Sequence, residues 1–271
     1  MKFGFSTLGC PGWSWSEIIT TASDLGYDGV ELRGIGSEMY LPRVKEFAVE
    51  NVPNLRAKLQ ELNLEVPCLT TNAFLFDPEK IEAARTEVID YMNLASAMET
   101  PYIRVLGDEN PEPGPVDEAL VEENLSYLLP LAAEKNVTLL LETNGVYADS
   151  GKIKTLLEKM NHPNLGVLWD IHHPYRFHNE PVSQTYKELK PWISHVHVKD
   201  SMLSQGNVLY RMIGCGDLPV AEAVSLLSAD SFSGYLVLEW VKRWNIDLEE
   251  PGIVFPHYLN TIKMMLPEKI N

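Results

Sequence analysis

Three carboxylates and one imidazole stand where apolar runs end in this chain. Glu142 follows Val137-Thr138-Leu139-Leu140-Leu141, Asp170 follows Val167-Leu168-Trp169, His197 ends Ile193-Ser194-His195-Val196-His197, and Glu239 follows Tyr235-Leu236-Val237-Leu238. If the runs are neighbouring parallel strands, these four side chains meet at one end of the sheet. Carboxylates gathered in a partly desolvated mouth repel and are driven to protonate unless a cation keeps them ionised. A divalent metal ion resolves the conflict. A thiolate-free set of this kind suits Mn²⁺, Mg²⁺, Co²⁺ or Zn²⁺, and Mn²⁺ is the favoured expectation. The alternative is that each carboxylate is merely salt-bridged to a neighbour, which would not require four of them in register.

The elements that would position these residues alternate along the whole chain, as a parallel sheet with crossover helices requires. Strand candidates are 3–6, 29–32, 65–69, 102–106, 138–142, 166–170, 195–198 and 235–239; helical patterns fall at 16–25, 55–62, 78–98, 117–135, 153–160, 182–190, 220–227 and 253–265. Eight strands with eight helices predict an α/β fold, a (β/α)₈ TIM barrel, over one domain spanning residues 1–271; a doubly wound open sheet is the rival. The four residues above are 28, 27 and 42 positions apart. Those separations bracket the roughly 31 residues per unit of such a barrel, so they fit successive strands. Gly26, Asn136 and Asn161 read as helix stops. The segment Asp108 to Pro115 reads as a loop above the fourth strand.

Bulk properties restrict the function classes. The chain has 271 residues, 45% hydrophobic and 22% charged, enough for a sizeable core. Lys and Arg number 22 against 38 Asp and Glu, a formal charge of −16. That balance repels nucleic acid and anionic membranes, and no basic run relieves it. Cys10, Cys68 and Cys215 are few and scattered, which fits a reducing cytoplasm and neither a disulfide framework nor a thiolate zinc site. No run approaches the roughly 18 apolar residues of a membrane span, and the N-terminal stretch does not read as a signal peptide.

In order and spacing, several segments together resemble the xylose isomerase-like barrel superfamily of sugar phosphate isomerases and epimerases. They are Leu25-Gly26-Tyr27-Asp28-Gly29-Val30-Glu31-Leu32-Arg33, Tyr102-Ile103-Arg104-Val105, Leu140-Leu141-Glu142-Thr143-Asn144, Leu168-Trp169-Asp170-Ile171-His172-His173, His195-Val196-His197-Val198-Lys199-Asp200 and Leu238-Glu239-Trp240. The resemblance covers nearly the whole chain. It implies that Glu142, Asp170, His197 and Glu239 are the metal ligands, that His173 contacts substrate, and that the protein forms a homo-oligomer. Endonuclease IV, in the same superfamily, needs further histidines above the third and fourth strands; here those ends read Leu69-Thr70-Thr71-Asn72 and Val105-Leu106-Gly107-Asp108. A nuclease is therefore not expected.

Other residues invite roles around the metal. Arg104, Lys199 and Arg211 could bind a hydroxyl, carboxylate or phosphate, although Arg104 and Lys199 could equally neutralise the acidic cluster. Trp13, Trp15, Phe74, Phe76, Trp169 and Trp240 could wall a carbohydrate pocket, with two of the six, Trp13 and Phe74 in first place, expected to touch ligand. The turn Ile213-Gly214-Cys215-Gly216-Asp217 lies where many barrels bind phosphate, with Asp217 expected as a helix N-cap. His195 reads as a hydrogen-bonded interior residue one layer below His197, and His172 as a helix-side or loop residue pointing away from the mouth. Glu31 and Arg33 are candidates either to position substrate or to form an internal salt bridge.

The expected chemistry is isomerisation or epimerisation of a sugar or sugar phosphate by proton transfer beside a carbonyl. The metal would act as Lewis acid toward an enediolate, with Glu142 and Glu239 as the acid/base pair. Alternatives are a dehydratase of an inosose or dehydroshikimate-like compound, and a non-catalytic carbohydrate-binding protein.

Overall fold

Buried parallel strands lose contact with water on both faces, so their sequences are continuous apolar runs rather than alternating ones. In the computed structural model, which describes residues 1–267, such runs build β1 (Lys2–Ser6), β2 (Gly29–Glu31), β3 (Cys68–Phe74), β4 (Tyr102–Leu106), β5 (Thr138–Glu142), β6 (Leu165–Asp170), β7 (Ile193–Val198) and β10 (Tyr235–Leu238). Leu139, Leu140 and Leu141 of β5 are all fully buried. The eight strands are parallel and ordered β2-β1-β10-β7-β6-β5-β4-β3. The two ends of this order meet through Val30 N–H to Glu65 O at 2.9 Å, Leu32 N–H to Cys68 O at 3.2 Å and Thr70 N–H to Leu32 O at 2.9 Å, closing the barrel. That closure excludes the open doubly wound sheet.

Around it pack α1 (Trp15–Leu25), α2 (Val52–Glu61), α3 (Ile81–Met98), α4 (Glu118–Glu134), α5 (Ser150–Met160), α6 (His172–Phe177), α7 (Val182–Leu189), α8 (Val220–Ala229) and α9 (Pro251–Met264). Helix α1 starts on a reciprocal cap between Ser14 and Glu17. The expected stops are left-handed: Gly26 has φ 78°, Asn136 55° and Asn161 41°. They turn the chain on the face opposite the carboxylates. No helix among the described residues is long and apolar enough to cross a membrane.

Three expectations need correction. The third strand is Cys68–Phe74 rather than 65–69: Pro67 has no N–H for a ladder, and the β-branched pair Thr70 and Thr71 carries the strand onward. An antiparallel hairpin of β8 (Asp200–Ser204) and β9 (Asn207–Arg211) follows β7 where no element was anticipated. The short helix α6 was also unforeseen.

Candidate functional site

Sheet order brings the chemistry together. Strands β5, β6, β7 and β10 are consecutive neighbours, with Asp170 beside His197 and His197 beside Val237 in register, two residues before Glu239. Glu142, Asp170, His197 and Glu239 each contribute one potential ligand atom, and these atoms lie within 4.8 Å of one another. His197 Nδ1 faces Glu142 Oε1 at 3.6 Å and Glu239 Oε1 at 3.5 Å, yet is buried without a hydrogen-bond partner.

Its other nitrogen is committed. His197 Nε2 donates to Glu31 Oε2 at 2.8 Å, and His195 Nε2 donates to the same oxygen at 2.8 Å. Glu31 is thus an interior anchor for both imidazoles, and His195 is the hydrogen-bonded interior residue expected. Burial pushes the Glu31 carboxyl up, but His197 and His195 more than reverse this and hold it well below the usual range. Burial alone would likewise depress His197, whereas Glu31, Glu239 and Glu142 hold it well above its ordinary value. In His195 burial prevails and the pKa is lowered.

Asp170 is rigidly held. Its Oδ1 accepts the backbone N–H groups of His172 at 2.8 Å and His173 at 3.2 Å at the start of α6. Thr143, one residue past β5, receives Asp170 N–H on Oγ1 at 2.8 Å, and its carbonyl takes His173 Nδ1 at 3.1 Å. Sequence reasoning overlooked Thr143; its place directly after Glu142 is the available clue. With Nδ1 donating, His173 Nε2 is left as an acceptor, and it lies 3.2 Å from Lys199 Nζ. Burial lowers the His173 pKa despite Asp170 nearby.

Lys199 and Arg104 sit inside the acidic cluster as counter-charges. Lys199 Nζ is 2.6 Å from Asp170 Oδ2 and also contacts Glu239 Oε2; Arg104 Nε is 3.2 Å from Glu142 Oε2. Burial would depress the Lys199 ammonium, but Asp170 and Glu239 hold it well above the usual lysine range. The carboxyls of Glu142 and Asp170, which burial would raise, are held down, Glu142 by Arg104 and His197 and Asp170 by His173 and Lys199.

Other expected residues make contacts of their own. Arg211 sits on the hairpin, with Nη1 donating to the Tyr210 carbonyl. Trp13 packs edge-on against Phe255, Trp15 against Phe47, Phe74 against Phe76, and Trp169 on Tyr186 of α7. Trp240 donates Nε1–H to Glu249 O. Arg33 bonds Asn72 Oδ1 at 2.9 Å. His172 is fully buried at the start of α6, bonded to Ser201 Oγ at 2.8 Å and stacked on Tyr210. The turn after β9 offers no free amides for phosphate through Gly214, Gly216 or Leu218: all three donate to the Asp200 carboxylate, at 2.9, 2.9 and 3.2 Å. Asp217 does not cap α8, whose N-cap is Pro219; it pairs with Arg176.

A cavity of about 1000 Å³ at the opposite, N-terminal face is lined by Lys2, Arg56, Glu65, Glu99 and Tyr235, among others. Its charges are paired, Lys2 with Glu65 and Arg56 with Glu99, so the converging ligand atoms, not cavity size, mark the candidate centre.

Residues 19–254 match the model of the xylose isomerase-like TIM barrel family. The chain belongs to that family. It is 25% identical over 280 residues to a fructoselysine 3-epimerase from Escherichia coli O157:H7, covering 99% of each chain. Among solved structures it resembles a probable 3-DHS dehydratase from Bacillus anthracis, with TM-score 0.81, 18% identity and 97% and 99% coverage of the two chains. A 3-keto-D-glucoside 4-epimerase from E. coli gives TM-score 0.75 at 18% identity, with 97% and 99% coverage. At these identities the two structural likenesses speak to the fold.

Proposed function

We propose that this protein is a divalent-metal-dependent sugar epimerase that inverts a carbon next to a ketose carbonyl. The observation that carries this reading is the pair Glu142 and Glu239. Their strands lie on opposite flanks of β7, and each carboxylate faces His197 Nδ1 at about the same distance. Two bases on opposite flanks suit removal of a proton from one face of a carbon and delivery to the other. The full-length similarity to a fructoselysine 3-epimerase supports epimerisation over isomerisation between neighbouring carbons.

The donor set fits a divalent cation. With His197 neutral, as a metal ligand must be, four buried carboxylates, Glu31, Glu142, Asp170 and Glu239, stand against two permanent cations, Arg104 and Lys199, a deficit of two positive charges. His197 Nδ1 is a buried nitrogen without a partner in the middle of that deficit. Glu142, Asp170, His197 and Glu239 would hold the ion, with Mn²⁺ the first choice and Mg²⁺, Co²⁺ or Zn²⁺ alternatives. Once bound, it would supply Lewis-acid polarisation of the substrate's carbonyl, making the adjacent C–H more acidic.

The chain's own residues perform the rest. One of Glu142 and Glu239 accepts the proton and the other returns one. Asp170, fixed by two backbone amides, keeps the mouth in shape, and Glu31 fixes which His197 nitrogen faces it. His173, kept neutral, orients a substrate oxygen.

The test is a deuterium-exchange screen in D₂O. The metal-loaded protein is mixed with ketoses, their phosphates, fructoselysine and inososes, and followed by NMR. Exchange at one carbon is expected, with interconversion of the two epimers abolished in both Glu142→Gln and Glu239→Gln. Epimerisation that survives in either variant removes that carboxylate from the acid/base pair. Loss of water to an ultraviolet-absorbing enone would mean a dehydratase. Tight sugar binding without exchange at any carbon would mean a binding protein.

A further inference from the structure

Lys199 lies in an unusual place for a lysine. It is the first residue past β7, with its side chain 3% exposed, and its ammonium bridges carboxylates from both neighbouring strands, Asp170 of β6 and Glu239 after β10. The chain beside it is anchored, because the carboxylate of the next residue, Asp200, accepts the backbone amides of Ser201, Gly214, Gly216 and Leu218. His173 Nε2, at 3.2 Å, offers the ammonium a third contact. Arg104 touches Glu142 alone among the quartet. Lys199 therefore uses the oxygens of two of the four residues that would hold a metal.

We infer that Lys199 is a built-in counter-cation that competes with the divalent metal for Asp170 and Glu239, and so sets the metal affinity of the site. The inference rests on the metal-dependent reading above. A divalent ion at these ligands must either take the oxygens that Lys199 holds or share them with an ammonium of like charge a few ångströms away. Both cases weaken binding relative to a site without the lysine. Without metal, the same ammonium keeps the carboxylates from repelling one another, so the barrel mouth stays assembled. A purely structural ion pair predicts the reverse for metal: loss of the lysine would disorder the ligands and weaken binding.

The experiment is calorimetric titration of Mn²⁺ into the chelator-treated wild type and Lys199→Met, with thermal melts in chelator and in saturating Mn²⁺. The variant should bind Mn²⁺ at least tenfold more tightly and melt lower than wild type in chelator, with the deficit shrinking or reversing when metal is saturating. Equal or weaker Mn²⁺ affinity in Lys199→Met overturns the inference while leaving the metal site standing. A wild type that binds no divalent ion sinks the metal reading itself. Should the variant fail to fold without metal, a small amine-reactive reagent is applied to the wild type and the Lys199 peptide is quantified by mass spectrometry. Mn²⁺ should raise its labelling several-fold as the ammonium leaves the carboxylates; unchanged or reduced labelling refutes the displacement.

Discussion

Replacing Glu31 by Gln tests the interior of the site without replacing a ligand. Its Oε2 accepts Nε2–H from both His195 and His197 at 2.8 Å, and it is fully buried. Hydrogen bonds to a charged group contribute about 1.5–3 kcal/mol each. The amide leaves both imidazoles sharing one uncharged oxygen and buries its NH₂ where Oε1 has no partner, so the net cost should be about 3 kcal/mol. For 271 residues the unfolding entropy is about 0.6 kcal/mol per kelvin, and the melting temperature should fall by about 5 °C. Metal affinity should drop by about 10- to 100-fold, because the carboxylate no longer directs the Nδ1 lone pair toward Glu142 and Glu239. Losing Glu31 also lessens proton competition at His197, which Glu31 helps hold above its ordinary pKa. The comparison therefore belongs at pH 8.5, where that competition is smallest. Thermal melts in chelator and Mn²⁺ titration read the two effects separately. A Glu31→Gln protein that keeps wild-type Mn²⁺ affinity within threefold would refute the anchoring role, whatever its stability.

Two further outcomes follow from buried polar groups. Asp200→Ala leaves the amides of Ser201, Gly214, Gly216 and Leu218 without their acceptor; it should cost about 3 kcal/mol in urea unfolding and speed hydrogen exchange at Gly214 and Gly216, with Asp200→Asn costing about half. Unaltered exchange at those glycines would show that the carboxylate does not hold the turn. Acidification should destabilise the metal-free protein as pH falls through about 6.5. Burial lowers the pKa of His172, His173 and His195, so below that pH the unfolded chain takes up protons that the folded one does not. His197, with a raised pKa, works the other way: its contribution is complete below about pH 6.5 and is lost as pH rises, so it offers no further compensation in the acid range. A urea midpoint that stays level or rises between pH 6.5 and pH 5.5 would contradict this.

The barrel was legible in the sequence because parallel strands buried on both faces leave apolar runs, and because Gly26, Asn136 and Asn161 mark left-handed helix ends. The converging carboxylates were legible for a related reason: each closes or directly follows such a run. The hairpin β8–β9 was not. Met202, Leu203, Ser204, Asn207 and Leu209 are exposed, so burial imposes no alternation, and its Gln205-Gly206 turn is a weaker signal than Asn-Gly. The role of Glu31 was hidden by distance, since it meets His195 and His197 across 164 and 166 residues. The turn after β9 misled for a complementary reason: a glycine-rich segment exposes amides on paper, and the acceptor that fills it stands 14 and 16 residues earlier, at Asp200.

Glu31 and Lys199 act on the same centre with opposite signs. The carboxylate acts through His197, and the ammonium acts on Asp170 and Glu239; neither touches the other's partners directly. Coulomb contributions to ion binding add when the surrounding groups keep their places. Removing one negative and one positive charge restores the balance that the metal meets. The double variant Glu31→Gln/Lys199→Met should therefore bind Mn²⁺ with an affinity between those of the two single variants and near that of wild type, even though its chelator-treated form is less stable than either. An affinity equal to that of one single variant would show that this change has already rearranged the ligands. The two residues would then be parts of one structural network rather than independent settings of the site's charge.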